Sequence, residues 1–149
     1  MAEDDENDAY FLKRAFLQAG INAPIEFVQN GEKAVAYLTG RGDGERESLP
    51  KLMLLDLKMP GMSGIEFLQW LRQQPGYGST RVVILTSSSL TRDVNAAYQA
   101  GANSFLIKPV DFERFVEITS ALSGYWMRTD VAPETQRPFT QSSVEQKKR

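Results

Sequence analysis

"KLMLLDL", residues 51–57, is an apolar run that ends next to an aspartate. The run is short enough for a strand, and it lacks the alternation that is typical of a strand with one face in water. It therefore predicts a strand that is buried on both faces. The segments "RVVILT" at 81–86 and "SFLI" at 104–107 predict two further buried strands.

Helical patterns alternate with these strands. Apolar residues recur at helical spacing from Asp8 to Ala19, and the same spacing predicts four more helices along the chain. A further strand is predicted at "PIEFVQ", residues 24–29, and a polar loop at "GRGDGERESLP", residues 40–50. Short strands that alternate with helices are typical of right-handed βαβ units, so we predict an α/β fold with a parallel sheet.

Composition narrows the chemistry. The 149 residues include 17 basic and 19 acidic side chains, a net charge of −2, which argues against a protein that coats DNA. No apolar run is long enough to span a bilayer, so no membrane partner is expected. The chain has no histidine and no cysteine, which excludes Ser-His-Asp catalysis, imidazole ligands and thiolate zinc sites. Carboxylates, hydroxyls and lysines remain as the side chains that could carry out chemistry.

Three polar residues follow the three buried strands. Asp56, Thr86 and Lys108 stand at the carboxyl ends of strands, where open parallel sheets bind their ligands. Any one of them alone is more commonly a turn residue or a helix cap. Together they favour phosphoryl transfer, since a carboxylate can accept a phosphoryl group while a hydroxyl and an ammonium contact its oxygens.

The acidic start "MAEDDEND" has five carboxylates in eight residues. Phosphoryl transfer needs positive charge, commonly a Mg²⁺ ion with oxygen ligands, and Glu3 and Asp4 could supply carboxylates for it. Taken alone, the run is better explained as a solvated tail or as charges at a helix N-terminus. Asp5, Glu6 and Asp8 are assigned to the loop and the helix start.

Residues 1–126 resemble the receiver domain of two-component response regulators. The resemblance rests on Glu3-Asp4, "LLDLKMPGMSG" at 54–64, "ILTSS" around Thr86 and "FLIKPV" around Lys108, with separations of 30 residues from Asp56 to Thr86 and 22 from Thr86 to Lys108. The pattern is similar to small stand-alone regulators of the phytochrome-associated type.

The resemblance implies a doubly wound, flavodoxin-like (βα)5 fold with strand order 2-1-3-4-5. It implies that Asp56 accepts a phosphoryl group from a histidine kinase or a histidine phosphotransfer protein. Mg²⁺ would be held by Glu3, Asp4, Asp56 and the backbone carbonyl of Lys58.

The resemblance also implies a switch. Thr86 would turn toward the phosphoryl group, Lys108 would pair with it, and Phe105 would change rotamer, although Phe105 is also explained as an ordinary half-buried aromatic. The Lys108–Pro109 peptide would be cis, a geometry that proline allows. Lys58 and Ser88 would tune how long the phosphate lasts.

The implied role is a cytoplasmic single-domain regulator in a phosphorelay, without DNA binding and without enzymatic activity beyond its own phosphorylation and dephosphorylation. It would signal by contact with a downstream protein target, and a homodimer could form through the last strand and the helices around it. Two alternatives remain: a receiver-like binding module that works without phosphorylation, and a haloacid-dehalogenase-like phosphatase. The phosphatase class expects a second Asp where this chain has Lys58.

The chain departs from the family pattern at its start, because only Met1 and Ala2 remain of the central first strand. We expect that the sequence begins inside that strand, and that an absent strand would open the core and loosen Glu3 and Asp4. Residues 1–127 are predicted to form the receiver domain, and 128–149 a flexible tail. Tyr125 and Trp126 either complete the core or belong to a homodimer face.

Overall fold

The computed structural model describes residues 1–40 and 50–129. The predicted loop lies mostly outside these residues, as does the predicted tail from residue 130 onward. The elements are, in chain order, α1 (Glu6–Gln18), α2 (Gly31–Thr39), β1 (Met53–Leu55), α3 (Gly64–Gln73), β2 (Val82–Thr86), α4 (Thr91–Gln99), β3 (Ser104–Ile107), α5 (Phe112–Leu122) and a π-helical turn (Ser123–Thr129).

The strands form a parallel sheet with the order β1-β2-β3. On the other side of β1, Ala2 forms parallel bridges to both Leu55 and Val28. The segments therefore lie side by side in the order Val28, Ala2, β1, β2, β3. If the segments are numbered along the chain, Ala2 marks the first strand, Val28 the second, and β1, β2 and β3 are the third, fourth and fifth. The order is therefore the predicted 2-1-3-4-5, and the flavodoxin-like receiver fold is confirmed.

The prediction for the outermost segment on this side of the sheet was only partly correct. "PIEFVQ" was predicted to be a strand, but only Val28 forms a bridge there. The reason is that its partner, residues 1–3, is too short for a longer ladder. Beside Met1, a cavity of about 550 Å³ with mostly apolar walls opens between residues 21–28 and 50–55.

Side chains of β1 and β2 alternate between two cores. Met53, Leu55, Val82 and Ile84 pack on one face of the sheet, with residues of α2 and α3. Leu54, Val83 and Leu85 pack on the other face, with residues of α1 and α5. All residues of both strands are buried, as predicted.

β3 has the predicted bounds but not the predicted burial. Ser104, Phe105 and Leu106 are half-buried and Ile107 is exposed. The prediction of a fully buried strand was wrong because β3 is the last strand of the sheet. One of its edges is unpaired among the described residues.

Side chains fix the helix starts that position the rim. Asp5 accepts hydrogen bonds from the backbone N–H groups of Asn7 and Asp8 and so caps α1, as its assignment to the helix start predicted. Asp111 caps α5 by accepting from the N–H of Arg114. Ser63 and Glu66 form a reciprocal capping box at α3.

Beyond α5, the chain continues as a π-helical turn. Trp126 packs against the α1–α5 core and lies beside the guanidinium of Arg81, so it completes the core. Tyr125 is exposed. The domain boundary between residues 127 and 128 stays a prediction.

The Lys108–Pro109 peptide is trans, so the implied cis geometry is wrong, and trans is the form that X–Pro bonds ordinarily favour. Within residues 1–40 and 50–129, no helix has the length and apolar character needed to cross a membrane.

Candidate functional site

The fold brings the three strand-end residues to one rim. Asp56 follows β1 and is 5% exposed, and Thr86 ends β2 and is 1% exposed. Lys108 follows β3, and its backbone N–H donates to the carbonyl of Thr86 at 2.8 Å. Parallel pairing of β1, β2 and β3 is what places these ends next to one another.

The Lys108 ammonium contacts three carboxylates. Its Nζ lies 2.6 Å from Glu3 Oε2, 2.7 Å from Asp8 Oδ2 and 2.9 Å from Asp56 Oδ2. The side chains of Lys108, Glu3 and Asp56 are almost fully buried, whereas that of Asp8 is 32% exposed. One ammonium therefore compensates a buried acidic cluster from its centre.

Burial shapes the protonation of this cluster. Desolvation raises the pKa of Glu3 from 4.5 to about 7, although the Lys108 ammonium and the N–H of Asp5 act in the opposite direction. Burial by itself would lower the pKa of Lys108. Hydrogen bonds from the ammonium to Asp8, Glu3 and Asp56 overcome that effect and raise this pKa above its ordinary value.

Glu3, Asp4 and Asp56 form a candidate cation site. Each offers a carboxylate oxygen, and these oxygens lie within 4.8 Å of one another. Glu3 Oε2 is buried and, apart from its ion pair with Lys108, accepts no hydrogen bond of good geometry. Hard oxygen donors with a spare buried lone pair fit Mg²⁺ or a similar divalent ion.

The loop after Asp56 is held close to the acidic cluster. The backbone N–H of Lys58 donates to Asp56 Oδ1 at 3.3 Å, while the Lys58 side chain is exposed. Farther along the loop, the N–H of Met62 donates to Glu32 Oε1 of α2 at 2.7 Å. These contacts set the path of the backbone that carries the Lys58 carbonyl.

Gly64 lets α3 begin directly against this loop. A Cβ at this position would lie 2.1 Å from the backbone oxygen of Asp56 and 2.9 Å from Leu57 Cα. Only glycine allows so close a contact between backbones. Gly64 therefore serves packing, and the packing is against the carbonyl of Asp56 itself.

Thr86 connects to α4 through Ser88. The backbone N–H of Ser88 donates to Thr86 Oγ1 at 3.4 Å, and Ser88 Oγ donates to Asp93 in the first turn of α4. Ser88 is itself buried. A movement of the Thr86 hydroxyl would therefore be transmitted through Ser88 to Asp93 at the start of α4.

Phe105 lies apart from the polar cluster. It pairs in register with Ile84 of β2 and packs against the core on the α2–α3 face of the sheet. Its half-buried position is compatible with both sequence-based interpretations. The proposed rotamer change stays a prediction.

Asp8 is the member of the cluster that sequence reasoning missed. It was assigned to the helix start, yet its carboxylate contacts Lys108. A weak signal was present, because Asp8 follows Asp4 by four residues at the start of a predicted helix. The sequence alone does not say which face of that helix turns toward the rim.

The family model of the response regulator receiver domain matches residues 1–120. The chain belongs to this family, whose members are phosphoacceptor signalling modules that interact with histidine kinases or phosphotransfer proteins. Membership sets aside the phosphatase alternative.

Individual relatives support the predicted type. Response regulator Rcp1 of Synechocystis sp. is 28% identical over 133 residues, which cover 89% of this chain and 90% of Rcp1. The structure of the phosphorylated cyanobacterial phytochrome response regulator RcpA matches with a TM-score of 0.79 at 26% identity, covering 89% of this chain and 94% of RcpA. The structure of response regulator RPA3017, from red light signalling in R. palustris, matches with a TM-score of 0.80 at 34% identity, covering 90% of this chain and 96% of RPA3017. The resemblance to phytochrome-associated regulators is confirmed.

One relative also bears on the cation. The solved structure of Rcp1 that matches this chain with a TM-score of 0.76, at 28% identity over 89% of this chain and 95% of that one, is an Mn²⁺-bound form. A divalent ion therefore binds to a relative, and the acidic cluster of this chain has the donor set for one.

Proposed function

We propose that Asp56 is the phosphoacceptor of this receiver domain. The observation that carries the proposal is a buried aspartate at a strand end, with a lysine ammonium 2.9 Å from its carboxylate and two further carboxylates within cation-sharing distance. An Asp56 oxygen would attack the phosphorus of a phosphohistidine on the partner. The phosphorus–nitrogen bond would break, and its electron pair would go to the imidazole nitrogen.

Glu3, Asp4, Asp56 and the carbonyl of Lys58 would hold Mg²⁺. When bound, the ion would neutralise charge on the transferring phosphoryl group. The chain's own residues do the rest: β1 orients the Asp56 carboxylate, and Lys108 supplies a mobile positive charge to the phosphoryl oxygens. The buried surroundings keep bulk water from competing for these contacts.

Thr86 would donate its hydroxyl to a phosphoryl oxygen. Its link through Ser88 to Asp93 supports a shift in population of the loop and the start of α4 when that hydroxyl moves. Phe105 would follow by changing rotamer. Self-dephosphorylation would reverse the state as water attacks the phosphorus and frees the Asp56 carboxylate, at a rate that Lys58 and Ser88 tune.

The signal would leave by protein contact in the cytoplasm. Several large apolar side chains near α4 and the end of β3 are exposed and support this face as the surface for a downstream target or a homodimer. They are Leu90, Tyr98, Ile107 and Val110.

The phosphoacceptor is tested by incubating the protein with Mg²⁺ and a small acyl phosphate. We expect a phosphorylated protein whose adduct is acid-stable and base-labile, and we expect none with Asp56→Asn. Asp111→Asn is the matched control, because asparagine caps a helix about as well as aspartate and Asp111 is exposed at the N-cap of α5.

Two other results would overturn the proposal. An adduct that persists in Asp56→Asn would place the acceptor elsewhere. No adduct in the wild-type protein would favour the phosphorylation-independent binding module.

A further inference from the structure

The three carboxylates around Lys108 are not equivalent. Lys108 Nζ donates hydrogen bonds to Asp8 Oδ2 at 2.7 Å and to Asp56 Oδ2 at 2.9 Å, whereas its contact with Glu3 Oε2 at 2.6 Å is an ion pair without hydrogen-bond geometry. Glu3 and Asp56 also belong to the group whose oxygens could share a cation, whereas Asp8 does not. Lys108 and a bound cation therefore compete for two of these three partners.

This competition has a cost that Asp8 can reduce. A divalent ion bound to Glu3 and Asp56 weakens the attraction of both carboxylates for the Lys108 ammonium. The positive charge of the ion also repels the ammonium. An ammonium that loses its partners while it is almost fully buried is strongly unfavourable. Asp8 Oδ2 lies 2.7 Å from Lys108 Nζ and is outside the cation cluster, so it remains a partner of the ammonium when the cation binds.

Asp8 is also held firmly enough for this role. It lies in the first turn of α1, where Asp5 accepts its backbone N–H at 3.1 Å. α1 packs against α5 through a shared core that includes Leu12 and Phe115. The carboxylate thus projects from a fixed element at the outer side of the cluster.

We propose that Asp8 is a positioning residue for Lys108. It gives the ammonium a partner outside the cation cluster, so that a cation and then a phosphoryl group can engage Glu3, Asp4 and Asp56 while Lys108 stays at the rim. The proposal deepens the proposed function and rests on it. Its first test, however, is cation binding alone, which needs no phosphoryl transfer.

The test is calorimetric titration of the metal-free protein with Mg²⁺. We expect Asp8→Asn to weaken Mg²⁺ binding by about tenfold, the size of one charge-assisted contact in a partly buried site. Glu6→Gln removes an exposed charge from the same helical turn and is the matched control, with a change of about twofold or less. Asp8→Glu keeps the charge and is expected to retain most of the affinity.

A double-mutant cycle separates positioning from simple loss of negative charge. In a Lys108→Met background the competing ammonium is gone, so Asp8→Asn should weaken Mg²⁺ binding no more than Glu6→Gln does. An equal tenfold loss in both backgrounds would show that Asp8 acts on the cation by charge alone and would overturn the proposal. So would unchanged affinity in Asp8→Asn. Thermal unfolding of each variant checks that the fold is retained.

Phosphorylation by a small acyl phosphate at saturating Mg²⁺ supplies the second readout. We expect slower phosphorylation of Asp8→Asn than of Glu6→Gln. If the wild-type protein binds Mg²⁺ with the expected Asp8 dependence but takes up no phosphoryl group, the proposed function fails and the positioning role stands.

Discussion

At the scale of single residues, Glu3 combines burial with a charge that the site needs. Its side chain is fully buried beside Lys108, and desolvation raises its pKa to about 7. The carboxyl is thus near half-protonation at neutral pH when no cation is present. A cation would favour the ionised form, so proton release and cation binding are coupled at this residue.

The raised pKa of Glu3 predicts a pH dependence of stability in the metal-free protein. Between about pH 4.5 and 7 the folded chain keeps a proton that the unfolded chain has lost, so the free energy of unfolding falls as pH rises through this window. The raised pKa of Lys108 adds no slope there, because its stabilisation is complete below its unfolded pKa and is lost only at much higher pH.

Urea unfolding with a chelator present, at several pH values, checks this expectation. The difference in stability between the wild-type protein and Glu3→Gln should move in favour of Glu3→Gln as pH rises from 4.5 to about 7. A difference that stays constant over this range would contradict the raised pKa. Mg²⁺ should reverse the trend by stabilising the wild-type protein at the upper end.

At the scale of elements, the contact between α3 and the end of β1 controls where Asp56 lies. Gly64→Ala would place a methyl group 2.1 Å from the Asp56 carbonyl oxygen, so the helix or the strand end must move. We expect a loss of about 1–3 kcal/mol in the free energy of unfolding, the range for overpacking, together with weaker Mg²⁺ binding.

Gly78→Ala is the control for this substitution, since its added Cβ would meet its nearest atom at 3.8 Å, an ordinary contact. Urea titration and calorimetry measure the two effects. If Gly64→Ala bound Mg²⁺ as tightly as the wild-type protein, the position of Asp56 would not depend on this contact.

The elements also show what sequence patterns can and cannot predict. Continuous apolar runs were sufficient to predict β1 and β2, because a strand buried on both faces has apolar residues at nearly every position. The burial of β3 was overestimated, since an apolar run does not show whether a strand lies at the edge of a sheet. The role of Asp8 was missed for a related reason, because the rotation of α1 is decided by its packing against α5.

The positions of the strand ends correctly predicted where three residues of the site lie. Asp56, Thr86 and Lys108 were expected at one rim because parallel strands share their direction, and the structure places them there. Contacts that depend on side-chain direction were beyond the sequence. The link from Ser88 to Asp93 and the contact of Glu32 with the loop after Asp56 are examples.

At the scale of the whole molecule, one side chain ties separate parts of the chain together. The Arg72 guanidinium donates to the carbonyl of Gly101 from Nε and Nη2, at 3.0 and 2.7 Å, and to the carbonyls of Gly78 and Thr80 from Nη1. It thereby joins the end of α3, the segment before β2 and the turn after α4. A planar group with five donors suits this arrangement better than an ammonium does.

Arg72→Lys is therefore expected to lower the free energy of unfolding by about 2 kcal/mol, since one ammonium cannot replace the hydrogen bonds of the guanidinium to all three carbonyls, two of which are partly buried. Arg92→Lys is the matched control: its side chain is 81% exposed and its ion pair with Asp93 spans 3.7 Å. Urea titration of both variants decides the matter. Equal stability of the two variants would mean that water replaces the lost hydrogen bonds at no cost.

The double bridge of Ala2 has a consequence for how the molecule responds to ions. Its hydrogen bonds to Leu54 and Asp56 set the register that turns Glu3 inward and leaves Asp4 exposed. A slip by one residue would exchange these two side chains between the faces of the sheet. Docking of residues 1–3 and the proposed binding of a divalent ion would thus be thermodynamically linked. The factor by which the ion shifts the docking equilibrium would equal the factor by which docking raises the affinity for the ion. The concentration of divalent ions would therefore regulate how firmly this segment is held.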